Sequence, residues 1–306
     1  VTVSNRHVLT QVPVIAGLVR AAVMSARPKR AGAVATPSEW IEETIAPRPE
    51  QLVRDYVKHV GGDPSWYRGR VPAHLFPQWG FPLATRLLAG LPYPLVKAMN
   101  GGCRLEQRAP LPAGVPLRVR ARLESIDDDG KRAIVTTRIL TGTAEVPEAV
   151  VGELRAFIPL KKPEKKDGAA RAMPTVPRDA HELAFFRVGA DAGLDFAKLT
   201  GDFNPIHWIP RAARASGFRS CILHGFSTLA RAIEALDRAR FAGDPSALAV
   251  IDARFTRPLV LPAKVGVYVG GDGHSVWVGD APGGGAYLEG RFETTAAHSR
   301  REESRS

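Results

Sequence analysis

The chain repeats itself. Arg104 through Leu111-Pro112-Ala113-Gly114-Val115 is answered by Arg254 through Leu261-Pro262-Ala263-Lys264-Val265. Gly80-Phe81-Pro82-Leu83-Ala84-Thr85-Arg86-Leu87 is answered by Gly225-Phe226-Ser227-Thr228-Leu229-Ala230-Arg231-Ala232. Amphipathic helices resemble one another by chance, so the Leu-Pro-Ala match after an arginine-led strand carries most of the weight. Two echoes in the same order read as an internal duplication. Such a chain folds as two like units or one double-sized unit, and 306 residues are enough for either.

The hydrophobic pattern supports that division. In the first unit it predicts a strand at 40–45, a short helix at 51–60, a core helix at 81–88 and strands at 117–123, 133–140 and 150–159. In the second it predicts a strand at 183–188, a helix at 190–199, a core helix at 226–240 and strands at 248–256, 264–270, 275–279 and 286–294. Strands in series after one helix argue for an α+β fold, an antiparallel sheet wrapped on a central helix in each half. The expected organisation is an extension at 1–36, a first repeat at 37–160, a linker at 161–178, a second repeat at 179–295 and a disordered tail at 296–306. The linker reading rests on Lys161, Lys162, Lys165 and Lys166 among prolines and alanines, with no apolar period. Asp127-Asp128-Asp129-Gly130 has the Asp-Gly ending of a tight hairpin and lacks the spaced ligands of a calcium loop.

Chemistry concentrates at Leu199-Thr200-Gly201-Asp202-Phe203-Asn204-Pro205-Ile206-His207, where a carboxylate, an amide and an imidazole fall within six residues of turn-prone sequence. An imidazole titrates near neutral pH and a neighbouring carboxylate can exchange protons with it, so Asp202 and His207 suit an acid-base pair. Asn204 can orient a water without changing charge, and Pro205 limits how far the other two drift apart. The same residues also make an ordinary helix-terminating Asx turn.

This run, with Ala212 and Ala213 after it and Leu223-His224-Gly225-Phe226 beyond, resembles the MaoC-like, (R)-specific enoyl-CoA hydratases. Ile209 departs from that family's pattern, in which many members carry Asp or Asn before the proline, here Pro210. The resemblance implies a double hotdog fold and hydration of trans-2-enoyl thioesters in fatty-acyl metabolism. It implies that Asp202, His207 and Asn204 are catalytic and that Gly225, opening a helix, supplies an oxyanion N–H. His224, Phe203 and Phe226 would then contact the substrate, with no metal and no cofactor. The partner is an acyl-CoA or acyl carrier protein thioester, with a homodimer allowed. Two other readings stay open: a hotdog thioesterase, and a non-catalytic acyl-binding subunit of a heteromeric dehydratase.

The first repeat does not keep this chemistry. Aligning Gly62-Asp63 with Gly201-Asp202 puts Ser65 at Asn204, Arg68 at His207 and Trp79 at His224. A guanidinium cannot serve as a base, so the first repeat is expected to be non-catalytic. The family resemblance implies that such a degenerate half leaves room for a medium or long acyl chain.

A net charge of +11 raises nucleic acid as a partner, but no aromatic-flanked basic motif or zinc spacing accompanies it. The charge suits the phosphates of CoA or an acidic carrier equally well. The apolar run 12–24 is interrupted by Arg20, followed by Arg27, Lys29 and Arg30, and too short to span a bilayer, which leaves an amphipathic helix packed on the protein or resting on a membrane surface, with packing favoured. Two cysteines, Cys103 and Cys221, make no disulfide framework and suit a reducing cytoplasm. Cys221 near His224 also invites a thiol-nucleophile reading, but a buried thiol with no orienting group is the plainer one.

Overall fold

Side-chain alternation fixes the sheet. Leu117, Val119, Ala121 and Leu123 turn inward on one strand while their neighbours face out, and Ala133, Val135, Thr137 and Ile139 do so on the next. The computed structural model describes residues 3–25, 34–161 and 173–296. Its first half runs α1 (His7–Thr10), α2 (Val12–Ser25), β1 (Ile41–Ile45), α3 (Glu50–His59), β2 (Arg70–Val71), α4 (Pro77–Ala89), β3 (Met99–Gln107), β4 (Leu111–Pro112), β5 (Leu117–Asp128), β6 (Arg132–Gly142) and β7 (Val150–Pro159). The second runs β8 (His181–Val188), α5 (Ala192–Thr200), α6 (Pro210–Ala215), α7 (Gly225–Ala239), β9 (Leu248–Phe255), β10 (Ala263–Val269), β11 (Ser275–Gly279) and β12 (Ala286–Thr294).

Ten strands pair in the order β1-β5-β6-β7-β3-β9-β12-β11-β10-β8, while β2 and β4 form a separate two-residue ribbon. The order is palindromic when each strand of one half is exchanged for its counterpart in the other. The two sheets expected from the sequence therefore meet edge to edge, through β3 and β9. There Cys103 lies opposite Ala253, and 253 is 103 displaced by the same interval that separates the echoing Arg104 and Arg254. A pseudo-twofold axis passes between these two residues. The chains come so close at this join that a Cβ on Gly102 would stand 2.4 Å from the Ala253 carbonyl oxygen.

Of the ten strands in the main sheet, Met99–Gln107 is the one whose extent the sequence-based list lacks, although the echo at Arg104 marks its second half as a strand. Its Gly101-Gly102 pair depresses β propensity, and only pairing on both sides makes it a central strand. The β5–β6 hairpin forms as expected, with Asp129 Oδ1 accepting from the N–H groups of Lys131 (2.9 Å) and Arg132 (2.7 Å).

α7 is the core helix, buried continuously from Phe226 to Asp237. α2 packs on α4, where a Cβ on Gly17 would lie 3.2 Å from Pro82 Cβ. The amino-terminal segment also reaches the second half: Gln11 Nε2 donates to the Leu199 carbonyl at 2.9 Å, and Gln78 Nε2 donates to the same oxygen at 3.2 Å. Two amides thus satisfy a carbonyl at the end of α5. The carboxy-terminal end of the expected linker is instead part of the fold: Thr175 bridges to Gly285, and Val176 is fully buried. Residues 162–172, the basic cluster at Arg27, Lys29 and Arg30, and the tail from 297 onward lie outside the described residues. Among the described residues, no helix is long and apolar enough to cross a membrane.

Candidate active site

Three local devices present the site. α5 stops at Gly201, whose φ of 84° lies in the left-handed region that favours glycine. Asp202 Oδ1 then accepts from the Asn204 N–H at 3.3 Å, and Asn204 Oδ1 from the Ile206 N–H at 3.4 Å. Pro205 opens the single 3-10 turn, Pro205–His207, that ends on the imidazole. The Asx turns expected of this run are formed, and in succession they deliver Asp202 and His207 to one place. Asn204 is exposed and its oxygen is engaged in the cap.

His207 is buried, and its Nδ1 lies 2.8 Å from the Ile222 carbonyl oxygen. A carbonyl only accepts, so Nδ1 carries the proton and Nε2 presents its lone pair. Burial lowers the pKa of this imidazole, against the opposing pull of Asp202 and the Ile222 carbonyl. His224, the residue before α7, donates from Nε2 to the Asp202 backbone oxygen at 2.9 Å. Its ring stacks on His207 with centroids 3.6 Å apart and leans on Phe196 at 4.9 Å. Burial first, and His207 second, push its pKa down to about 3. Both rings are thus neutral at pH 7. Asp202, with its side chain 17% exposed against 2% for His224, is the member of the group that solvent reaches.

Asp202, His207 and His224 each offer a ligand atom within 4.8 Å of the others. One nitrogen of each imidazole is already committed to a carbonyl. The two rings stack with an interplanar angle of 26°. The geometry suits proton transfer better than metal ligation.

Gly225 begins α7, where the first-turn N–H groups have no intrahelical acceptor. A Cβ there would lie 2.8 Å from the Phe255 ring, so only glycine fits. Phe203 sits edge-on to Trp208 at 6.2 Å, and Trp208 Nε1 donates to the Phe203 carbonyl at 3.1 Å. Phe226 is placed otherwise than the sequence reading expected: it is core, 3% exposed, with its ring against Phe76, Phe81 and Phe255. Sequence reasoning missed His59, at the end of α3, which stands 6.2 Å from the Phe196 ring. Only the packing of α3 on α5 brings it in, and no local motif marks it.

In the first half, Asp63 is exposed and accepts from the Ser65 N–H at 2.8 Å, which is the capping role of Asn204. The residue that follows the left-handed glycine, Gly61 with φ 92°, is Gly62, so the counterpart of Asp202 carries no side chain. Arg68 is exposed, and the buried Trp79 donates from Nε1 to Thr141 Oγ1 at 3.0 Å.

Residues 174–277 match the family described as MaoC like domain. That stretch of the second half is thus similar to the MaoC-like domain, and the chain as a whole has the double hotdog fold. It is 28% identical over 206 residues to 3-hydroxyacyl-thioester dehydratase X of Mycobacterium tuberculosis, covering 63% of this chain and 68% of that protein. Over 180 residues it is 28% identical to the peroxisomal enoyl-CoA hydratase 2 of Arabidopsis thaliana, covering 55% of this chain but only 58% of the relative. The crystal structure of HtdX of Mycobacterium tuberculosis superposes with a TM-score of 0.66 at 22% identity, over 84% of this chain and all of that one. A second protein of that organism, described as having a double hotdog fold, gives a TM-score of 0.52 at 13% identity over 85% of this chain and 96% of its own.

Proposed function

We propose that this protein adds water reversibly across the double bond of trans-2-enoyl thioesters, giving (R)-3-hydroxyacyl thioesters of CoA or of a carrier protein. The observation that carries this reading is the neutral His207 imidazole, its Nδ1 tied to Ile222 and its Nε2 free beside Asp202. Water lies between Asp202 and His207. Nε2 takes one proton from it while the oxygen bonds to C3, and the electron pair of the double bond moves toward C2 and the carbonyl. The Gly225 N–H and the positive end of α7 meet the charge that develops on the carbonyl oxygen. The Asp202–His207 pair then returns one proton to C2, so no proton is gained or lost. His224 orients Asp202 through its backbone oxygen, and Asn204 holds the turn.

Among the described residues the first half contributes no second acid-base pair of this kind, and the proposed substrates carry acyl chains of medium or long length. Two buried free thiols, Cys103 and Cys221, fit a reducing compartment such as the cytoplasm.

The test follows loss of the conjugated enoyl-thioester absorbance with trans-2-enoyl-CoA substrates, with chiral analysis of the product and His207→Ala as control. (R)-3-hydroxyacyl-CoA formed by the wild type and lost in the variant is the expected result. Release of free thiol from saturated acyl-CoA would overturn the hydratase reading in favour of a thioesterase.

A further inference from the structure

α7 carries a polar stripe on a buried face. His224, Ser227, Arg231, Glu234 and Asp237 recur at spacings of three and four, one side of a helix, and each of these side chains is at most 9% exposed. On that side His224 Nδ1, Ser227 Oγ, Arg231 Nε, Glu234 Oε2 and Asp237 Oδ1 are all buried without a hydrogen-bond partner among the described residues. The central helix of a packed core has no need of such atoms, and burying them unmatched is costly. They mark a face built to meet something other than protein.

The two ends of the stripe differ. At the far end, Glu234 Oε1 lies 3.1 Å from both Tyr67 Oη and His74 Nε2, and Asp237 Oδ2 lies 3.1 Å from the same hydroxyl, whose one proton the two carboxyl groups share. Those carboxyl groups have protein partners. Arg231 has none: its guanidinium meets no acceptor and no carboxylate among the described residues, and only the face of the Phe186 ring, 5.5 Å away, attends it. His59 adds a second unpartnered buried nitrogen, Nε2, and its imidazole is held down to about 3 by burial, by Arg231 and by His224. Arg231 thus stands beyond the catalytic pair as a buried cation with no anion to answer it among the described residues.

We propose that Arg231 is the subsite for a carboxylate carried on the distal part of the acyl group, so that the preferred thioesters are ω-carboxylated. This rests on the acyl-thioester reading above. Arg231 follows Gly225 by six residues, about 9 Å along the helix axis, which places the subsite well beyond C3 along the chain. A carboxylate there balances the Arg231 charge and can accept two N–H groups from the guanidinium fork.

The test compares ω-carboxylated and alkyl-ended acyl-CoA of equal chain length, with saturated esters by calorimetry and 2-enoyl esters by turnover, in the wild type and in Arg231→Met and Arg231→Lys. The expected result is a preference of about tenfold to a hundredfold for the carboxylated ester in the wild type. The preference is lost in Arg231→Met and partly kept in Arg231→Lys. Arg231→Met also unfolds at higher temperature than the wild type, since it removes an unpaired buried charge, whereas loss of a structural contact would lower that temperature. Binding and turnover of the alkyl ester with no preference for the carboxylated one overturns the subsite alone. Failure to bind or turn over either ester overturns the thioester reading and the subsite with it.

Discussion

His59 makes the stability of the fold depend on pH in a way that one substitution isolates. Burial, Arg231 and His224 lower its pKa from 6.5 to about 3, so the folded chain keeps it neutral where the unfolded chain protonates it. A base with a depressed folded pKa contributes stability that is complete above pH 6.5 and is lost as pH falls toward the folded value. At 1.36 kcal/mol per pH unit, protonation of the unfolded chain removes about 2 kcal/mol by pH 5. His224, lowered to about 3 as well, adds a similar slope. Asp237 acts in the opposite sense, because burial and Glu234 raise its carboxyl pKa and its contribution is lost as pH rises. Both of these groups are present in wild type and His59→Leu alike, so the difference between the two proteins reports His59. Urea unfolding followed by tryptophan fluorescence at pH 7 and pH 5 measures it. His59→Leu should be close to wild type at pH 7 and more stable by about 2 kcal/mol at pH 5. Parallel loss of stability in the two proteins would refute the buried neutral imidazole.

Asp202→Ala should lower turnover by about a hundredfold to ten-thousandfold, while Asp63→Ala, at an exposed turn, should leave it near wild type; equal losses would sink the assignment of catalysis to one half. Because burial lowers the pKa of His207, the acid limb of kcat/KM should fall below pH 6.5, and a midpoint above that value would contradict the environment described. Gly225→Ala should cost about 1–3 kcal/mol in thermal unfolding through the Phe255 ring, together with a loss of kcat. Gly62→Ala, whose Cβ would meet the Glu234 carboxylate at 2.1 Å, should destabilise the wild type but much less a Glu234→Ala background, with a coupling of about 1–3 kcal/mol in a double-mutant cycle.

Legibility tracked how local each signal was. Val150–Pro159, Ser275–Gly279 and Ala286–Thr294 could be read to the residue because their alternation and flanking turns are contiguous in sequence. β3 could not, because Gly101-Gly102 looks like a turn until β7 and β9 pair with it. At the site, Asp202 and His207 were visible because one loop carries both. Phe226 was misplaced because a phenylalanine after a helix-opening glycine looks the same whether it faces a ligand or the partner helix; only the ring of Phe81 against it, 5.3 Å away, decides. Nothing local marks Arg231 and Glu234 as buried, because a charged residue on a helix ordinarily faces solvent; only the burial of α7 on all sides brings them inside.

The duplication accounts for this last feature. In a symmetric pair, each half would set its own carboxylate after its own left-handed glycine. Here the first half has Gly62 at that position, and the volume its side chain would take is filled by the Glu234 carboxylate of the other half. Glu234 is then matched by Tyr67 and His74, which both belong to the first half. One helix therefore serves two ends of the interior: its amino terminus faces the Asp202–His207 pair, and its third turn stands where a second pair would have been. With the second position closed by Glu234, the face of α7 between them, centred on Arg231, becomes the part of the interior free to diverge. An acyl chain drawn inward from Asp202 along α7 would meet Arg231 before it reached the closed position.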